Sequence, residues 1–197
     1  MADQIILNNE IYHFTEDNLP CLIHYAPKAG GSHFSVTMVA DLFLRGSKIL
    51  FLTAYPMAKD NFFEQIKGME SQTSYVTSSD QLDANAQAII LESGNERLFL
   101  EAVKTLPDIL ERILLVKNME VFGQTVFDAC LNHPRLILSG NIDTCLAKKQ
   151  ISEKSWKSIV LFTKPLTPLR IEPPILEKYI GYFWNESAQG LIAIQKA

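Results

Sequence analysis

Six short apolar runs recur along the chain: PCLIHYA (20–26), KILFLTA (48–54), QAIILES (87–93), RILLVKN (112–118), RLILSGN (135–141) and SIVLFTK (158–164). Each is too short for a buried helix and rich in Ile, Leu and Val, which predicts strands. Strands apolar at consecutive positions are buried on both faces, as in a parallel sheet covered by helices. The intervening stretches supply those helices. Residues 33–45 place Phe34, Met38, Val39, Leu42 and Leu44 near helical spacing, and Arg45-Gly46 gives a basic last turn and a glycine stop. Helices are also predicted over 57–68, over 95–108 with Asn95 as cap, over 120–132 and, as a helix or helical turn, over 142–157. SYVTS (74–78) reads as a short extended piece. The predicted fold class is α/β, with a mostly parallel twisted sheet, helices on both faces and right-handed crossovers.

Beyond the sixth run, TPLRIEPP breaks regular structure, and YIGYFWNESAQGLIAIQKA reads as a C-terminal β hairpin turning at Asn185–Gly190. Residues 1–19 are mixed and polar. The expected organisation is one domain over 1–197, with a lead-in (1–19), a core (20–164) and a C-terminal hairpin (165–197).

Apolar residues make up 47% of the 197 and charged residues 20%, so a packed core is expected. A net charge of −4 gives no support for a dominant nucleic-acid surface. Cys21, Cys130 and Cys145 are odd in number and far apart, which argues against a disulfide framework or a zinc site. The N-terminus shows no basic and then apolar signal pattern, and no run approaches the roughly 18–20 residues of a membrane span. A cytoplasmic setting is expected.

Ligands in such sheets lie beyond the carboxyl ends of the strands. The first of these ends carries Ala26-Pro27-Lys28-Ala29-Gly30-Gly31-Ser32-His33, a glycine-bearing turn between a strand and a helix. A working phosphate loop reads G-x-x-x-x-G-K-[ST]. Here Gly31 keeps the second glycine, Ser32 stands in the lysine place and His33 in the Ser/Thr place. The stretch 20–54 nevertheless resembles the opening of RecA-like P-loop ATPases of the KaiC/RadA kind, in Pro27, Gly31 and Arg45-Gly46. That resemblance implies a Walker B strand, which ILLVKNME (113–120) matches, with Lys117 and Asn118 in the acidic places. It also implies a sensor strand, matched by 136–141 with Ser139 and Asn141 at its polar end.

Lys28 inside the loop either reaches phosphate or is solvated on a turn. His33 either meets an anion or serves as a polar cap. Glu92, ending AIILE, is a possible acid beside an incomplete magnesium site, or a rim carboxylate paired with Arg97 or a helix terminus. Asp143 is expected to cap the following helix. Ser93-Gly94 lacks a nucleophile elbow. Trp156, Trp184 and Phe183 are expected to pack, and exposed aromatics on the hairpin would mark an interface.

These losses imply a catalytically inactive RecA-like pseudo-ATPase serving as an assembly or scaffold subunit, with no cofactor and with ATP binding doubtful. Protein partners or self-association are expected. The Elongator accessory subunits, RecA-like domains without Walker motifs, are the nearest analogy. Two alternatives stand beside it: an atypical ATPase using Lys28 and Glu92, and a subunit handling nucleic acid in DNA recombination or repair or in tRNA modification.

Overall fold

The computed structural model describes residues 3–42, 49–52, 70–92 and 94–196. The expected helix over 57–68, the helix end at Arg45-Gly46, the strand end at 54 and Ser93 lie outside them. Eleven strands form one sheet. In chain order they are β1 (Gln4–Leu7), β2 (Glu10–Ile11), β3 (Cys21–His24), β4 (Ile49–Leu52), β5 (Thr73–Val76), β6 (Ala88–Glu92), β7 (Ile113–Lys117), β8 (Leu136–Gly140), β9 (Ser158–Leu161), β10 (Gly181–Asn185) and β11 (Gln189–Gln195). The helices are α1 (Gly31–Leu42), α2 (Glu96–Thr105), α3 (Gln124–Cys130) and α4 (Lys148–Glu153).

Across the sheet the order is β2-β1-β11-β10-β9-β3-β8-β7-β6-β4-β5. From β9 to β5 every neighbouring pair is parallel. From β9 to β2 every pair is antiparallel. The predicted fold class is therefore present: a mostly parallel α/β sheet with a C-terminal hairpin.

Side chains alternate between the two faces of a strand. One face buries Leu22, Leu114, Leu138 and Ile159 against Phe99 of α2, Phe127 of α3 and Ile151 of α4. The other buries Ile23, Leu115, Ile137 and Val160 against Phe34 and Met38 of α1. The apolar runs are continuous because both layers need them.

Several boundaries differ from expectation. The lead-in is not irregular: β1 pairs with β11 and β2 with β1, extending the hairpin into a four-strand antiparallel wing. The same segment is fastened to α1 through His13 Nδ1 and Asp41 (2.9 Å), the Phe14 N–H donating to Asp41 (2.7 Å), and His33 Nε2 with Asp3 (2.9 Å). Residues 119–121 form a 3-10 turn before α3, and 142–144 another before α4, so two expected helices are shorter. Asn95 stands at the N-cap of α2, but its side chain makes no capping bond.

Between β9 and β10 the chain runs as a strap. Thr163, Pro165, Thr167, Leu169 and Ile171 are half-buried, while Lys164, Leu166, Pro168, Arg170 and Glu172 are exposed. That alternation marks an extended segment lying along the surface. No described helix is long and apolar enough to cross a membrane.

Candidate functional site

The strands β3, β8, β7 and β6 are consecutive neighbours, so their carboxyl ends meet at one rim. Parity fixes what they present there. Tyr25 follows Ile23, Ser139 follows Ile137, Lys117 follows Leu115 and Glu92 follows Ile90, all residues of the α1 face. Four polar side chains thus form one tier beneath the glycine loop and the start of α1.

Lys117 and Glu92 are directly opposite in register. The Lys117 ammonium donates to Glu92 Oε1 at 3.1 Å, with the lysine side chain 3% exposed and the glutamate 17%. Burial lowers the Lys117 pKa, and Glu92 works against that. The partner of Glu92 is therefore Lys117, the residue opposite it on β7.

Tyr25 fills the other half of the tier. Its ring is buried and lies against the start of α1, so that a Cβ at Gly31 would collide with it. Its hydroxyl donates to Asn118 Oδ1 at 3.3 Å. Burial pushes the phenol up to about 12; Ser139 and Ser32 beside the hydroxyl work against that, while Glu120 and Glu92 push the same way as burial. The Ser139 Oγ is buried close to the Tyr25 hydroxyl, but meets no hydrogen-bond geometry among the described residues.

The loop itself is pinned from above. Ala29 N–H donates to Ala26 O (3.2 Å), making a tight turn in which Lys28 has φ 66° and Gly30 φ 99°. Gly30 is required there, because its φ favours a residue without Cβ. Ala26 N–H donates to Thr163 Oγ1 (3.1 Å) at the start of the strap, and Tyr179 at its end lies over Gly30. Pro27 and Lys28 are exposed, whereas Ala29 is buried. Ser32 and His33 are half-buried in the first turn of α1, and the His33 ring is held by Asp3 rather than turned to the loop.

Just past β8, Asn141 spends both its groups on the chain. Its N–H donates to Glu120 Oε2 (2.9 Å) and its side chain accepts from Asp143 N–H (3.0 Å). Asn141, not Asp143, caps the turn that follows. The Asp143 carboxylate instead accepts from the N–H groups of Leu166 (3.0 Å) and Thr167 (2.7 Å). Burial raises the Asp143 pKa, but those bonds outweigh it and the net direction is down. His24, ending β3, is buried and accepts from Ile142 N–H at Nδ1 (3.2 Å), so it is neutral with its proton on Nε2. Burial lowers its pKa to about 4, opposed by Asp143.

The sequence singled out Glu92, Lys117, Asn118 and Ser139, and the structure brings them together. It keeps Lys28, His33 and Asn141 apart from that tier. Sequence reasoning passed over Tyr25, although its two-residue spacing from Ile23 places it on the α1 face. Trp156 donates from Nε1 to Ile151 O (2.8 Å), and Phe183 is buried, as packing residues.

No family model and no curated protein matches the chain. Among solved structures it is similar to the pCW3 conjugation coupling protein TcpA, in its monomer form with ATPgS. The identity is 9% and the TM-score 0.49, over 99% of this chain and 66% of that one. A structure described as an ATPase is similar at 8% identity and TM-score 0.49, over 98% of this chain and 86% of that one. The chain spans just under two thirds of TcpA. Neither likeness is close enough to speak about chemistry.

Proposed function

We propose that this chain is a RecA-like P-loop domain whose magnesium–nucleotide centre has been replaced by an internal ion pair, and that it works as a non-catalytic assembly or scaffold subunit. The observation that carries the reading is the Lys117–Glu92 pair at 3.1 Å. It stands where the resemblance places a Walker B acid. Supporting it, the glycine-loop strand, the sensor-like strand and the Walker-B-like strand are adjacent, so the layout of such a site persists while its chemistry is inverted.

Magnitudes favour this reading. A dication about 4 Å from the ammonium would be repelled by roughly 8 kcal/mol at an effective dielectric near 20. The Tyr25 ring also fills the space against Gly31 at the start of α1. An ammonium in place of a carboxylate does not fit magnesium. One group favours a weaker second reading, nucleotide binding without hydrolysis: the Ser139 Oγ is buried and makes no hydrogen bond of ordinary geometry among the described residues.

Phosphate release from ATP and magnesium tests the reading. The purified protein is expected to match a protein-free control. Turnover abolished by Lys28→Ala or Glu92→Ala would replace it with an atypical ATPase.

A further inference from the structure

Antiparallel neighbours in a sheet are commonly joined by about two to five residues. β9 and β10 are such neighbours, yet residues 162–180 separate them. A connection longer than about 12–15 residues without secondary structure is uncommon in a compact domain and, where ordered, serves as a lid or a binding loop. The strap has the geometry of a lid. Both of its ends touch the glycine loop. Thr163 Oγ1 accepts from Ala26 N–H at 3.1 Å, and a Cβ at Gly30 would meet the Tyr179 ring at 3.2 Å. Between those ends the strap crosses from the α1 face to the other. There Asp143 holds the N–H groups of Leu166 and Thr167, and Leu169, Ile171 and Leu176 pack with Trp184 against the α2–α4 core.

The strap is lightly held, and its parts are tied to one another. Within 163–180 only Pro173 is buried. Among the described residues, the strap N–H groups that find protein acceptors are those of Leu166, Thr167 and Ile180. Lys164 pairs with Glu172 at 3.0 Å, and Ile180 N–H donates to Glu177 O at 3.1 Å, which folds the segment back on itself. Segments with few buried contacts are the first to open. Tyr179 adds to this, because its φ of 67° is a left-handed backbone that a tyrosine keeps only while its surroundings hold it.

We infer that the strap is an autoinhibitory lid on the glycine loop, opening as one body with Asp143 as its latch and Tyr179 as its clasp. Closed, it covers Gly30 and holds the Ala26 end of the loop through Thr163. Anything that reaches this loop from outside has to release the strap first. The two fastenings stand at different places: Asp143 follows β8, and Gly30 precedes α1. If the lid is one body, loosening either fastening loosens the other.

Two readouts on the full chain test this in both directions. Tryptic cleavage after Arg170 reports the latch. Hydrogen exchange at the Ala26 and Ala29 amides, followed by NMR, reports the loop under the clasp. Asp143→Ala perturbs the latch, and Tyr179→Gly, which tolerates the same φ, perturbs the clasp. Each variant is expected to raise both cleavage and loop exchange about tenfold while the melting temperature hardly moves. Thr163→Val, read by cleavage after Arg170, replaces Tyr179→Gly if that variant folds poorly. Faster cleavage in Asp143→Ala with loop exchange at the wild-type rate overturns the lid. So does faster loop exchange in Tyr179→Gly with cleavage unchanged, or a pair of variants in which neither readout moves. Neither readout involves nucleotide, so the lid and the non-catalytic reading stand or fall separately.

Discussion

Lysine at position 117 is the residue on which the account turns. An ammonium almost fully out of water is tolerable only with its counter-ion, and the two partners are unequally exposed. Glu92→Gln leaves the buried ammonium unpaired and is expected to cost about 3–5 kcal/mol in urea unfolding. Lys117→Met leaves a carboxylate that still reaches water and should cost less, about 1–2 kcal/mol. The double variant should then fall short of the sum by about 1 kcal/mol or more; additive losses would mean the pair is not coupled. His24 makes a second prediction at this scale. Its folded pKa, about 4, lies below the ordinary 6.5, so between those values the unfolded chain binds more protons. Stability is therefore expected to fall by up to about 3 kcal/mol as pH drops from 6.5 to 4. Below 4 this group contributes no further slope. His24→Gln should flatten that window, and an unchanged pH profile would contradict the neutral, buried histidine. The sequence marked position 117 as anomalous because a motif expects acid there. It was silent on the partner, since register between β6 and β7 is a property of the sheet.

Elements were legible where periodicity is strong and hidden where the chain is short or held by side chains. The apolar runs declared their strands, because burial on both faces leaves no polar position. β1 and β2 did not, since Gln4–Leu7 and Glu10–Ile11 are brief and become strands only by pairing, β1 with β11 and β2 with β1. The strap was read correctly as irregular, yet its fastening was not, because Asp143 lies distant in sequence from Leu166 and Thr167. Those two bonds favour the ionised carboxylate, so the tie is complete above the ordinary aspartate pKa near 3.9 and lost as pH falls through the depressed value. Asp143→Ala is expected to raise tryptic cleavage after Arg170 about tenfold, a local loss of about 1.4 kcal/mol, while the global melting temperature hardly moves. Equal cleavage rates in variant and wild type would show that the strap is held elsewhere.

At the scale of the whole molecule, one sheet has two parts of different character. Its parallel part assembles the tier Tyr25, Ser139, Lys117 and Glu92 from adjacent strands; its antiparallel wing pairs β1 with β11, the last strand. The fold class followed from the sequence because parallel strands have a composition of their own. That pairing of β1 with β11 did not, because it joins opposite ends of the chain and depends on the entire topology. The central claim is that an internal ion pair and a tyrosine ring occupy the place of a magnesium-bound nucleotide. Calorimetric titration of ATP and ADP into the purified protein, with and without magnesium, meets it most directly. The account predicts no magnesium-dependent heat of binding. Micromolar binding that requires magnesium and disappears in Lys28→Ala would contradict it.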